Sequence, residues 1–170
     1  MEKRNVTVSA IVAAIVLIGD QLSKHWAETW LRTNGEYKIW DGVLHLRYVK
    51  NRGAAFGMMQ GGKWFFLAIT GIACAAMLYF LIKERKRLHF MMTFSLALLL
   101  SGAIGNLIDR VALGYVRDMI YVALIDFAVF NVADMAVTVG CCLLVLDLLF
   151  FKGKKYMEMM DKKPQTGENS

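Results

Sequence analysis

Residues 64–82, WFFLAITGIACAAMLYFLI, contain no charged side chain. About 20 consecutive apolar residues are what a helix needs to cross a bilayer core. Three other segments are of the same kind. One runs from about Val6 to Leu22, interrupted among charges by Asp20 alone; one from about Phe90 to Ile108, uncharged; one from about Phe130 to Phe151, carrying Asp134 and, deeper, Asp147. Inside hydrocarbon every backbone N–H and C=O must be paired within the segment, so these runs are expected to be helices. The chain is 57 % hydrophobic with a mean hydropathy of +0.44. Ordinary soluble domains are about 45–50 % apolar. The basic start, Lys3 and Arg4, would suit a signal peptide, but no small-x-small cleavage site follows, so the first run is read as a retained helix.

Lysine and arginine give the direction of the spans. The link KERKRLH packs Lys83, Arg85, Lys86 and Arg87 between the second and third spans, and Lys152, Lys154, Lys155, Lys162 and Lys163 follow the fourth. The basic residues of the other side are spread over two longer loops. Both termini and the Lys83–His89 link are therefore expected in the cytoplasm. Residues 1–155 are expected to form a single membrane domain with outer loops 27–63 and 110–130, and residues 156–170 a disordered polar cytoplasmic tail. The net charge of +6 sits beside apolar runs, which suits anionic headgroups and not nucleic acid. Cys74, Cys141 and Cys142 lie in apolar segments without a CxxC spacing and read as small core residues. In the first outer loop, DGVLHLRYVKN opens on a turn signal and then alternates, with Leu44, Leu46 and Tyr48 on one face, so a strand is expected. Trp26, Trp30, Trp40 and Trp64 bracket this loop at positions that suit the headgroup level. A small sheet on the outer surface follows.

With that direction, the unusual polar residues gather at the outer leaflet: Asp20 and Lys24 on the first span, Asn106, Asp109 and Arg110 on the third, Asn131 and Asp134 on the fourth, Asn51 and Asp118 in the loops. Intramembrane ionisable groups commonly face the bundle interior and mark function. Asp20 and Lys24 are spaced i,i+4 and can pair; Asn106, Asp109 and Arg110 share a helix face. Gly102 and Gly105, with Ala103, allow a second helix to come close. Plainer roles exist for each. Asp20–Lys24 can be an interfacial ion pair, Asp109–Arg110 a helix anchor, and Asp134 a helix cap or a partner for Arg110. Asp118 can be a simple loop acid, and Asp147 is expected to snorkel or meet a tail lysine. Asp41 and Asp126 read as turn residues, Met58-Met59 and Met91-Met92 as packing or lipid contacts.

Which chemistry these residues serve is narrowed by what is missing. His25, His45 and His89 lack the HExxH spacing of a metal hydrolase, and no G-x-S-x-G is present. Acid with acid remains, and Asp118 and Asp134 come from a loop and a helix mouth that the chain can bring together. Two adjacent carboxylates share a proton, so one can accept from water while the other polarises a carbonyl. A metal-dependent lipid-headgroup transferase and a small carrier or channel are alternatives at this point. The first needs several acids on one helix; the second needs acids that step across the membrane.

The motifs DQLSK (20–24), NRGAAFG (51–57), GAIGNLIDR (102–110), VRDM (116–119) and FNVADMAV (130–137) occur in an order and spacing that resembles the bacterial lipoprotein signal peptidases (signal peptidase II). The resemblance covers Asp20 to about Thr138. It implies an all-α polytopic membrane protein of the bacterial inner membrane, with four transmembrane helices, a small extracytoplasmic β-cradle and a short peripheral helix. It implies Asp118 and Asp134 as catalytic dyad, with Asn51, Gly53, Asn106, Arg110 and Asn131 positioning the dyad or the substrate backbone, and Asp20, Lys24 and Asp109 supporting the site. The implied substrate is a diacylglyceryl-modified prolipoprotein, cut on the N-terminal side of the lipidated cysteine. Neither metal nor other cofactor is implied; inhibition by globomycin is. Met119 stands where the family usually has Phe. Arg117 would disfavour a shared proton if it faced the dyad, and is expected to point to water or lipid phosphate.

Overall fold

The computed structural model describes residues 3–53, 63–84, 87–151 and 153. Four helices are long and apolar enough to cross a membrane. Helix α1 spans Lys3–Trp26, α2 Lys63–Lys83, α3 Phe90–Ala112 and α4 Val132–Phe150. A three-stranded antiparallel sheet, β1 (Tyr37–Trp40), β2 (Leu44–Asn51) and β3 (Val116–Val122), sits at one end in the order β1-β2-β3. Residues 54–62 of the first outer loop, including Met58-Met59 and Gly57, Gly61 and Gly62, lie outside the described residues, as do Arg85, Lys86 and the tail.

Helix α3 is the hub, packing against α1, α2 and α4. Glycine lets it do so. A Cβ at Gly102 would run into the carbonyl of Ala133, and one at Gly105 would lie 2.6 Å from Asp20 Oδ2. Gly140 of α4 returns the favour, its position facing Ser95 O at 2.9 Å. Away from the sheet, Leu88, Met92 and Leu96 form a buried cluster with Phe80 and Leu81 of α2 and Leu144 and Leu148 of α4. Met92 is thus a core residue. Cys141 and Cys142 are exposed on α4 and not in the core, because α4 turns Gly140 to α3 and their positions away from it.

Three expectations change. The first outer loop does not begin at Ala27: the helix continues through a π-helical turn, Ala27–Leu31, and a short turn, Arg32–Asn34. Ala27 and Leu31 are buried against Met119 of β3, with Leu46 and Tyr48 of β2 alongside, so packing under the sheet holds this extension in helical form. Asp118 lies in strand β3 and not in a loop. Asp147 does not snorkel: it is fully buried, 2.9 Å from Nε2 of His89, and accepts from the Gly153 amide, while the lysines of the tail lie outside the described residues.

One irregularity in the sheet matters. Leu46 pairs with Ile120, yet Val49 pairs with Asp118, so three residues of β2 answer two of β3. Side chains alternate along a strand, and this bulge exchanges the faces. Without it, Asn51 would point away from the Asp118 face; with it, the two side chains meet.

Candidate active site

Helix α4 begins with a capping box. Asn131 Oδ1 accepts from the Asp134 amide at 2.9 Å, and Asp134 Oδ2 accepts from the Asn131 amide at 3.2 Å. The cap side chains are not used up by this. The Asn131 Nδ2 group donates to Asp118 Oδ1 at 2.6 Å and to Asn106 Oδ1 at 3.2 Å. Asp134 Oδ1 accepts from Asn106 Nδ2 at 2.7 Å. The orientation of Asn106 follows from Lys24, whose ammonium donates to Asn106 Oδ1 at 2.9 Å, so the amide nitrogen must face the carboxylate.

Lys24 is itself fully buried and is held by Asp20 at 2.8 Å, the i,i+4 pair expected from spacing, and by Asp109 at 3.8 Å. Asp20 uses its other oxygen to accept from the Ala133 amide at 2.9 Å, which satisfies a second free donor at the start of α4. A buried lysine flanked by two acids meets the requirement that buried charge be paired. On the far side of Asp118, Asn51 Nδ2 donates to Oδ2 at 3.0 Å, and Asn51 Oδ1 accepts from the Gly53 amide at 3.0 Å.

These groups open on a cavity of about 630 Å³ whose lining includes Asn51, Gly53, Asn106, Arg110, Asp118 and Asp134 together with the apolar Phe127, Val129, Phe130, Met135 and Val139. The volume is in the range of small-ligand sites. Arg110 lines it, its guanidinium 5.1 Å from the Phe66 ring, and is therefore not simply a helix anchor. Burial, and then the nearby Asp134 charge, push the Asp118 carboxyl up to about 7; donations from Asn51 and Asn131 and the charge of Lys24 oppose them.

Arg117 does not point to water or lipid. Its side chain is 11 % exposed and forks onto Asp109, with Nη2 to Oδ1 at 2.7 Å and Nε to Oδ2 at 3.1 Å. It also donates to Glu28 at 3.2 Å and to Gln21 at 3.2 Å. Asp109 therefore pairs with Arg117 and not with Arg110. The physical reason is strand alternation: Val116 and Asp118 line the cavity, so Arg117 must face the helices. Gln21, Glu28, Tyr48 and Tyr115 are further members of this cluster that the sequence reading passed over. The phenols of Tyr48 and Tyr115 both reach Glu28, at 3.3 and 3.4 Å. A signal existed: Gln21, Lys24 and Glu28 follow the i, i+3, i+7 spacing of a single helix face.

Comparison with known proteins shows the family and the fold. Residues 12–150 match the family described as signal peptidase (SPase) II. The lipoprotein signal peptidase of Streptococcus thermophilus is 46 % identical over 142 residues, covering 83 % of this chain and 92 % of that one. That of Clostridioides difficile is 43 % identical over 145 residues, covering 85 % and 97 %. Among solved structures, a bacterial membrane enzyme determined by the in meso method at 2.3 Å superposes with a TM-score of 0.77 at 33 % identity over 95 % of both chains. A second, at 1.9 Å, gives 0.76 at 35 % identity over 85 % of this chain and 94 % of the other. With the match extending from the first span to the end of the fourth, the chain belongs to the signal peptidase II family, aspartic-type proteases of the bacterial membrane.

Proposed function

We propose that this enzyme removes signal peptides from diacylglyceryl-modified prolipoproteins on the N-terminal side of the lipidated cysteine, with Asp118 and Asp134 as a proton-sharing dyad. The observation that carries the reading is that both acids line one cavity and are joined through a single residue, Asn131, whose side chain donates to the Asp118 carboxyl and whose backbone amide donates to that of Asp134. Near neutral pH the proton resides on Asp118, because burial and the Asp134 charge keep it there. Asp134 is the base. It takes a proton from water, whose oxygen attacks the scissile carbonyl carbon, while Asp118 hydrogen-bonds and protonates the carbonyl oxygen. The tetrahedral intermediate collapses as the C–N bond breaks. The proton gained by Asp134 passes to the leaving amine of the lipidated cysteine, and the intermediate returns one to Asp118. Asn106 and Asn131 hold the acids; Asn51 and Arg110 are placed to orient the substrate backbone.

The substrate suits the place. Its scissile bond lies next to a lipid anchor, so it arrives at headgroup depth. The apolar lining residues Phe127, Phe130, Met135 and Val139 can take acyl chain or signal-peptide side chains, while the polar ones take the peptide bond. In this reading the sheet lies outside the inner membrane and both termini are cytoplasmic.

The test is purified protein with a diacylated prolipoprotein, with and without globomycin, beside Asp118→Asn and Asp134→Asn. Each variant is expected to lose about 10³-fold or more in kcat. Globomycin should block the wild type, and the product mass should place the cut before the cysteine. Chelator should leave the rate unchanged; loss of activity on chelation would favour a metal-dependent enzyme. Near-wild-type turnover by either variant would overturn the dyad.

A further inference from the structure

Strand β3 carries Asp118, and its neighbour Arg117 makes more polar contacts than any group in the dyad. The guanidinium forks onto Asp109 of α3 and reaches Glu28 and Gln21 of α1 and its extension. The Arg117 backbone is held as well. Its amide donates to Asp109 Oδ2 at 2.9 Å, and its carbonyl accepts from Asn131 Nδ2 at 3.4 Å. The backbone on the two sides of Arg117 is thus fixed, the amide to α3 and the carbonyl that leads into Asp118 to the cap of α4. From Asp109 the contacts continue through Lys24 to Asn106, and from Asn106 to Asp134. One path of charged and polar groups therefore connects the strand that bears one acid to the acid on the helix.

We propose that Arg117 is a positioning residue for the cleavage reaction: it locks β3 onto α3 and the α1 extension and so sets where Asp118 stands relative to Asp134. This rests on the dyad reading above. The path runs on charge balance. Asp109 is fully buried and has two cations, Arg117 and Lys24. If Arg117 withdraws, Asp109 draws on Lys24 alone, and the Lys24 bond that orients Asn106 is lost or lengthened. Lysine cannot stand in for arginine here, since it offers a point charge where Asp109 receives a planar fork.

The experiment measures kcat and KM for a diacylated prolipoprotein, and the pH profile of kcat/KM, for Arg117→Lys and Arg117→Met. Arg117→Lys keeps the charge and is expected to fold. Its kcat should fall on the order of 10- to 100-fold with KM little changed, the signature of displaced reacting groups. The groups that face Asp118 are Asp134 from α4, Lys24 from α1 and Arg110 from α3. A looser β3 admits water beside Asp118, so the alkaline limb of the profile should move to lower pH. Arg117→Met should lose more, with a lower Tm. If Arg117→Lys fails to fold, the double variant Arg117→Gln with Asp109→Asn, which removes the fully buried Asp109 charge together with its cation, is read by the same criteria. A folded variant with wild-type kcat and an unmoved limb, or with all its loss in KM, overturns the inference. Asp118→Asn and Asp134→Asn are run in parallel. If either one cleaves, the dyad reading fails; if both are dead while Arg117→Lys is unaffected, only the role of Arg117 fails.

Discussion

Replacing Asp118 by Asn exchanges an acid held near pH 7 for an amide of the same shape that does not titrate. Below about pH 4 both the native and the unfolded wild type carry the proton, and Asp118 adds no pH dependence. As the pH rises past the ordinary carboxylate value of 3.8, the unfolded chain releases its proton while the native chain keeps it up to about 7. The native state then binds more protons than the unfolded one, so stability falls as pH rises. The full loss, reached above about pH 7, corresponds to about 4 kcal/mol. Asp118→Asn escapes it. It incurs a cost of its own, since Asn131 Nδ2 donates to Oδ1 and Asn51 Nδ2 to Oδ2 of Asp118, and an amide keeps an oxygen at only one of these two places and turns its NH2 toward the other donor. That mismatch is worth about 1–3 kcal/mol and does not vary with pH. The variant should thus be less stable than wild type near pH 4.5 and more stable near pH 8, with a crossing between. Thermal unfolding in detergent, followed by the fluorescence of the stacked pair Trp26 and Trp30, reads it; their ring centroids are 5.6 Å apart beside the sheet. Parallel Tm curves for the two proteins across that range would refute the argument, because they would mean that folding does not burden Asp118.

With Asp118 as the proposed acid, the same titration should appear in catalysis: kcat/KM should fall above about pH 7, nearing tenfold per pH unit, as Asp118 loses its proton. Gly105→Ala places a Cβ 2.6 Å from Asp20 Oδ2 and should lower stability by about 1–3 kcal/mol, seen as a reduced Tm and reduced yield of folded protein. Lys24→Met strips the cation from Asp20, fully buried at the start of α4, and should cost about 3–5 kcal/mol with cleavage lost, measured by unfolding and by precursor processing.

The four spans were legible because their evidence is local and repeated over many residues. So were the Asp20–Lys24 pair and the close approach at Gly102 and Gly105, which depend only on spacing along a helix and on absent side chains. The strand of residues 44–51 announced itself through a turn and alternation. Strand β3 did not, since VRDMIYV has a charged pair where a clean alternation would be sought, and its partners lie far back in the chain. Arg117 was misjudged for the same reason: the groups it meets are 8, 89 and 96 residues away, and no pattern in its neighbourhood announces them. His89 with Asp147 is another long-range meeting, set by where α3 starts and α4 ends.

The capping box of α4 has a kinetic consequence. Helix ends fray readily, and here the end that would fray holds both Asn131, which steadies one acid, and Asp134, which is the other. With Asp118 and Asp134 as the proposed dyad, each opening of that first turn is an interval in which the protease is switched off, so amide hydrogen exchange at Ala133 and Asp134 should report directly on the fraction of time the enzyme is ready to cut.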